Sequence, residues 1–414
     1  MSRRQPPQDP VVRQLISLNR SMLTRRNLLK LGGGAAAAAG LAACAPPLPP
    51  ISPTGGVPSL QLPQDMSATQ KTINFANWTA YMDYDETTKK YPTLEAFTKK
   101  TGIKVNYTED VDDNDTYFNK VAPQLRAHQD INRDIFCFTD WMANRVIREQ
   151  MAQPLDPWAM PNVIGHLLPS LQQVSFDPGR KYSVPWQGGF GGICYHKKKV
   201  GRELKTIEDL WAPDLKGKIT VLSEFRDTAG LIMQSQGVDI GGNWGKPELQ
   251  RAFDEVSKRI SDGNIRRVQG NAYMEALKAG NAFAGIVWSG DIFILRAETE
   301  DDNWEFVIPE SGGTLWTDNL MVPITSTHRA NAMKLMDYYY DPKVAAELAA
   351  WVNYISPVVG AQEELAKTDK ELASSPFIFP TEDYLKKHKI QGFRALTAEE
   401  EAEYGAMWAK VIGN

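Results

Sequence analysis

The chain has 414 residues, of which 42% are apolar and 23% charged. This near-average balance excludes a disordered, collagen-like or multi-span membrane protein and leaves room for two to three domains or one two-lobed body. With 46 bases against 50 acids the formal charge is −4, which lacks the basic excess of a nucleic-acid binder.

Residues 1–44 hold seven bases and one acid, so the remainder carries −10. An acidic body favours cationic ligands. Thr24-Arg25-Arg26-Asn27-Leu28-Leu29-Lys30 precedes a run of Leu, Gly and Ala that ends in Leu41-Ala42-Ala43-Cys44. A basic region, a short apolar stretch and small residues before a cleavage point read as an export signal over 1–44. The run is too short to anchor in a bilayer by itself. Its paired arginines resemble a twin-arginine signal, and its end resembles a bacterial lipobox. In that reading Cys44 carries lipid and holds the mature chain on the outer face of the cell membrane. Met22 is a second candidate start. Residues 45–70, with seven prolines, read as an extended, disordered tether.

Past the tether, Lys71 to Ala76 alternates as a strand does. Tyr91 to Thr101 reads as a helix stopped by Gly102, and Ile103 to Tyr107 as the next strand. Tyr117 to Gln129 reads as a helix in which Pro123 is a break or kink. Asp134 to Phe138 is then a strand. The pattern returns with strands at 218–222 and 282–288 and helices at 228–236, 247–261, 273–279, 329–340 and 342–352. Strand–helix alternation predicts an α/β body with a mainly parallel sheet.

In open α/β sheets ligands sit beyond the carboxyl ends of the strands. Those ends read Asn77-Trp78-Thr79-Ala80-Tyr81, Thr139-Asp140-Trp141, Ser223-Glu224-Phe225-Arg226-Asp227, Trp288-Ser289-Gly290-Asp291 and Trp316-Thr317-Asp318. Indoles and carboxylates recur at all five. Indole faces attract organic cations, and carboxylates pair with charged nitrogens. A slot with aromatic walls and acidic ends would hold a linear polyamine. Glu224 and Asp227 have an alternative role as caps of the following helix, and Asp318 as a turn residue. Arg226, between two of the acids, either pairs with one or enters the cleft to meet a ligand carboxylate.

Other chemistries find little support. The five histidines make no zinc motif. There is no Gly-x-Ser-x-Gly elbow and no phosphate-cradling loop. Gly188-Gly189-Phe190-Gly191-Gly192 reads as a flexible crossover. Asp110 to Asp115 begins like a calcium loop, but it has Asp115 where glycine is needed and Val121 where the bidentate glutamate belongs. Cys137 and Cys194 sit in apolar runs and read as two buried thiols, with a disulfide as the alternative. No metal, cofactor or catalytic residue is expected.

In order and spacing, several segments resemble the spermidine/putrescine-binding proteins of bacterial ABC importers. They are Phe75 to Tyr81, Thr101 to Val105, Tyr182 to Trp186, Ile286 to Gly290, Glu310 to Asp318 and Asn353 to Pro357. The resemblance implies a two-lobed, periplasmic-binding-protein-like α/β fold of type II, with ligand in the interlobe cleft. It implies a first lobe over 71–189 and 317–362, and a second over 190–316 and 363–414. The family's binding positions fall on Trp78, Thr79, Tyr81, Thr139, Trp141, Glu224, Asp227, Trp288, Asp291, Trp316, Asp318 and Tyr354. Departures are Ala80, where an acidic residue is frequent, Thr139 and Trp141 in place of serine and tyrosine, and no counterpart to a glutamine near Phe393 and Arg394. Asp291 is more like the putrescine-preferring branch.

The expectation is therefore a monomeric, non-catalytic, lipid-anchored extracytoplasmic protein. It captures a polyamine such as putrescine or spermidine and delivers it to the membrane subunits of an ABC importer, with no nucleic-acid partner. The alternatives are the same fold holding an amino-acid-like, sugar or metal-complex ligand, a secreted glycoside hydrolase using two of the carboxylates, and a purely structural surface protein.

Overall fold

The computed structural model describes residues 62–413. The export signal, Cys44 and the tether as far as residue 61 lie outside the described residues. Residues at the end of the expected tether are docked, not free. The Asp65 carboxylate accepts from the Ala330 amide at 2.9 Å, and the Met66 amide donates to the Thr327 carbonyl at 2.7 Å. Ser67 is buried, and its hydroxyl accepts from the Asn331 amide at 3.1 Å. Polar side chains that meet the open amides of a helix start account for this anchoring.

The first half runs β1 (Thr72–Trp78), α1 (Pro92–Thr101), β2 (Lys104–Val111), α2 (Asn114–Arg126), β3 (Ile135–Thr139) and α3 (Asp140–Arg148). Pro92 opens α1 and Gly102, at φ 74°, closes it, as fixed proline φ and left-handed glycine favour. Helix α2 runs through Pro123 without a break and is capped by Asp113, which accepts from the Thr116 amide. A 14-residue strand follows, β4 (Ser183–His196), buried along its whole length. The second half contains β5 (Ile219–Leu222), α4 (Phe225–Ser235), α5 (Lys246–Ser261), β6 (Ile265–Gln269), α6 (Tyr273–Lys278), β7 (Ala284–Trp288), α7 (Asp291–Thr299) and β8 (Trp304–Val307). Then come β9 (Gly313–Met321), α8 (Arg329–Tyr338), α9 (Pro342–Val352), β10 (Ile390–Gly392) and α10 (Ala398–Ile412).

The main sheet is ordered β2-β1-β3-β9-β4-β7-β5-β6, with β8 on β4 and β10 on β9. Pairing is parallel within each half (β1–β2, β1–β3, β5–β7, β5–β6) and antiparallel through the middle (β3–β9, β9–β4, β4–β7). The expected mainly parallel sheet is thus a mixed one. The reason is that β4 and β9 cross between the halves in opposite directions, and the lobe boundaries drawn at 189/190 and 316/317 fall within these two strands. The glycine-rich segment read as a flexible crossover is the centre of β4.

Phe75, Phe136, Phe138 and Trp186 are fully or nearly fully buried beside this sheet, with Phe97 of α1 also in the core. Cys137 on β3 and Cys194 on β4 are buried free thiols. The segment expected to close the second lobe divides. Leu365, Leu372 and Ile378 pack on Ala346 and Ala349 of α9. Trp408 of α10 instead packs against Phe225 and Phe253 and donates its indole N–H to the Ser223 carbonyl at 2.7 Å.

Candidate functional site

A cleft enclosing about 430 Å³, its mouth included, lies between the two halves. It is lined by Trp78, Thr79 and Tyr81 after β1, Thr139 at the end of β3, Glu224 and Asp227 after β5, and Trp288 and Asp291 after β7. Trp316 and Asp318 of β9 and Tyr354 after α9 complete the lining, together with Asn114 and Asn271. Of the residues proposed from sequence, Trp141 is the one that does not line it. Its ring is covered by the Arg226 guanidinium at 3.6 Å.

The aromatic walls are mutually braced. Trp288 meets Trp78 edge-on at 6.0 Å and Trp316 at 6.4 Å, and Tyr354 packs on Trp316 at 5.4 Å and Tyr81 at 5.3 Å. Two glycines of β4 make this packing possible. A Cβ on Gly189 would fall 2.5 Å from the Trp316 ring and 2.8 Å from Tyr354. One on Gly191 would collide with the Thr314 hydroxyl and come within 3.0 Å of the Asp227 carboxylate. The bare backbone is the floor against which both walls and one acid rest.

Three carboxylates are held only by neutral donors. Asp227 accepts from the Trp288 indole N–H at 2.8 Å and from the Thr314 hydroxyl. Asp291 accepts from the hydroxyls of Tyr273 and, at 2.8 Å, Tyr354. Asp318 accepts from the Thr139 hydroxyl at 2.7 Å, and Thr139 in turn accepts from the Asn114 amide at 2.9 Å. Neutral donors orient a carboxylate without cancelling its charge. Burial accordingly raises all three, Asp318 to about 7.

Asp318 was expected beyond a strand end or in a turn, yet it lies mid-strand. The ladder between β9 and β4 slips between Thr317 and Asn319, and such a bulge re-aims the residue inside it. Glu224 fulfils the capping alternative. It is the N-cap of α4, its carboxylate accepting from the Arg226 amide and from the Arg226 guanidinium, both at 3.1 Å. Helix α4 therefore begins three residues before the start expected at Thr228, and Asp227 enters the cleft from its first turn.

Sequence reasoning missed Asn114 and Asn271. Asn114 belongs to the acidic run rejected as a calcium loop, and its signal is the helix cap at Asp113. Asn271 follows β6, whose exposed Arg266 and Arg267 hide a strand from a hydrophobic-pattern reading. The same two segments join the halves across the cleft. The Asn271 amide donates to the Asp112 carbonyl at 3.2 Å, the Ser223 hydroxyl to the Asp113 carboxylate at 2.6 Å, and Arg148 pairs with Glu401. Ala80 takes a left-handed φ of 55° and its amide donates to the Glu109 carboxylate at 3.0 Å, which fixes the turn carrying Thr79.

A crossed, two-lobed α/β fold around an acidic, indole-walled cleft defines a binding protein for a small solute. The family pattern described as bacterial extracellular solute-binding protein matches residues 93–378, and the chain belongs to that family. It is 28% identical over 327 residues to the spermidine/putrescine-binding periplasmic protein of Escherichia coli, covering 77% of this chain and 86% of the relative. It is 24% identical over 360 residues to a putrescine-binding periplasmic protein of Pseudomonas aeruginosa, covering 83% and 93%. An ABC transporter structure from Listeria monocytogenes superposes with a TM-score of 0.70 at 27% identity, covering 83% of this chain and 99% of that one. The substrate-binding protein of a spermidine/putrescine ABC transporter from Streptococcus pneumoniae shares the fold, with a TM-score of 0.64 at 24% identity, covering 83% and 98%.

Proposed function

We propose that this protein captures a polyamine between its lobes on the outer side of the cell membrane and delivers it to an ABC importer. The observation that carries the reading is the set of three buried carboxylates, Asp227, Asp291 and Asp318, held by neutral donors between indole walls. None of the three accepts a hydrogen bond from a cation of the protein, and a buried carboxylate held in that way is costly to ionise. A flexible dication or trication offsets that cost, with methylenes against Trp78, Trp288 and Trp316. A neutral sugar would leave the acids uncompensated. An amino-acid-like ligand needs a free cation for its carboxylate, and Arg226 is already engaged by Glu224. The relatives named for putrescine and spermidine support the same class.

In this reading the protein performs no covalent chemistry, acts as a monomer, and is held to the membrane by lipid on Cys44. No helix among the described residues is long and apolar enough to cross a membrane. Calorimetric titration with putrescine, spermidine and spermine at low and moderate salt tests the proposal. Saturable one-to-one binding that quenches tryptophan fluorescence and weakens as salt rises is expected. Silence with all three amines overturns it.

A further inference from the structure

We infer that Gly270 sets how far the two halves close: its missing side chain lets the segment after β6 seat on the segment after β2, and this clasp across the cleft retains the ligand by slowing its escape. The inference rests on the polyamine reading and adds to it a residue that governs retention without itself lining the cleft.

Strands β2 and β6 stand at opposite ends of the sheet order. Asp112 directly follows β2 and Gly270 directly follows β6, so their meeting reports the approach of one half to the other. The Asn271 amide donates to the Asp112 carbonyl and the Ala272 amide to the Asp112 carboxylate, both at 3.2 Å. Ser223 joins them: its amide donates to the Gln269 carbonyl at 2.8 Å, and its hydroxyl to the Asp113 carboxylate at 2.6 Å.

Gly270 is buried under this contact. A Cβ there would lie 2.4 Å from the Asp112 carbonyl oxygen and 2.7 Å from a carboxylate oxygen of the same residue, and the three nearest heavy atoms all belong to Asp112. Ordinary packing needs roughly 3.5 Å, so an alanine would stop the halves about 1 Å short. Gly270 is not among the glycines with a left-handed φ, so its own backbone conformation does not call for glycine. The demand comes from the opposite half.

Behind the clasp each segment leads to an acid of the site. Asn114, next to Asp113, donates to Thr139, which donates to Asp318. Tyr273, two residues after Asn271, donates to Asp291. Full seating of the clasp therefore sets the spacing between Asp318, beside β3, and Asp291, after β7. A halt short of that seating leaves the two acids further apart and an exit for the amine.

Calorimetry and stopped-flow tryptophan fluorescence with putrescine and spermidine on the wild type, Gly270→Ala and Ser223→Ala, with hydrogen exchange over residues 270–273, test the inference. Gly270→Ala should weaken the better-bound amine by about tenfold or more, through faster release with little change in the association rate. The Asn271 and Ala272 amides should gain protection when the wild type is loaded, and gain little in Gly270→Ala at saturating amine. The ligand-free melting temperature should stay within about 2 °C of the wild type, because the added carbon meets the opposite half. Ser223→Ala removes one cross-cleft hydrogen bond and should speed release by roughly three- to tenfold. Unchanged affinity and release in Gly270→Ala overturn the inference. So does a Gly270→Ala chain that fails to fold or melts far lower without ligand, since the glycine would then serve its own half. Unchanged release from Ser223→Ala overturns the clasp as the element that retains the ligand. Silence of the wild type toward both amines overturns the polyamine reading and this inference with it, and the wild type's own titration tells that outcome from the others.

Discussion

Two sets of acids in the cleft share one chemistry and are held in opposite ways. Asp227 receives the Trp288 indole N–H, Asp291 two tyrosine hydroxyls and Asp318 a threonine hydroxyl. Glu224 instead receives the Arg226 guanidinium, which also covers Trp141. Neutral donors orient an acid and leave its charge available, whereas a fixed cation uses it up. An inventory of lining residues does not separate these cases; the identity of each acid's partner does.

The comparison fails if changes at the two sets of acids and their partners cost the same. The largest loss is expected for Trp288→Ala, which removes a wall and the donor that orients Asp227. Affinity for putrescine should fall by about a hundredfold or more, the range for a central buried indole, as read by calorimetry. Next, Asp318→Asn should weaken binding by roughly ten- to a hundredfold, the loss of one charge-assisted hydrogen bond. An unchanged dissociation constant would remove Asp318 from the site.

Acidity sharpens the same contrast. With its carboxyl at about 7, Asp318 is largely ionised at pH 8 and largely protonated at pH 6. Affinity should therefore drop by up to about tenfold over that interval, and Asp318→Asn should flatten the profile. Stability of the ligand-free protein moves the other way. A carboxyl raised above its unfolded value binds a proton more tightly when folded, so its contribution is most favourable near pH 4 and is lost as pH rises toward 7. Melting with and without putrescine at pH 5.5 and 8 should show ligand-induced stabilisation growing with pH. The smallest effect is expected for Trp141→Phe, which keeps a ring under Arg226 and should change putrescine affinity by less than about threefold. A loss as large as that of Asp318→Asn would erase the distinction between the two sets.

Much of the architecture was legible because hydrophobic period and strand-end chemistry are local. The strand–helix alternation over 72–139 and the indoles and acids closing β1, β5 and β7 could be read directly. What remained hidden depends on partners distant in sequence. Gly188 to Gly192 looked loose because its composition is that of a loop. The segment is instead a buried strand, and Trp316, Tyr354 and Thr314 fill the space its missing side chains leave. Strand β6 was invisible behind exposed arginines. Trp141 was placed in the cleft because it follows a strand, and only the tertiary fold brings Arg226 onto its ring. The bulge that aims Asp318 inward is a property of two paired strands and has no signature in either one alone.

The paired β4 and β9 have a mechanical consequence. Two of the passages from one lobe to the other, β4 and β9, form a hydrogen-bonded ribbon. Such a ribbon acts as a torsion spring with a rest angle and a stiffness, unlike a free swivel. Trp316 is part of that ribbon, and Tyr354 leans on its glycines. Winding or unwinding it would displace these aromatic walls as the lobes move, so the surface that meets the ligand is mounted on the spring that the ligand must hold shut.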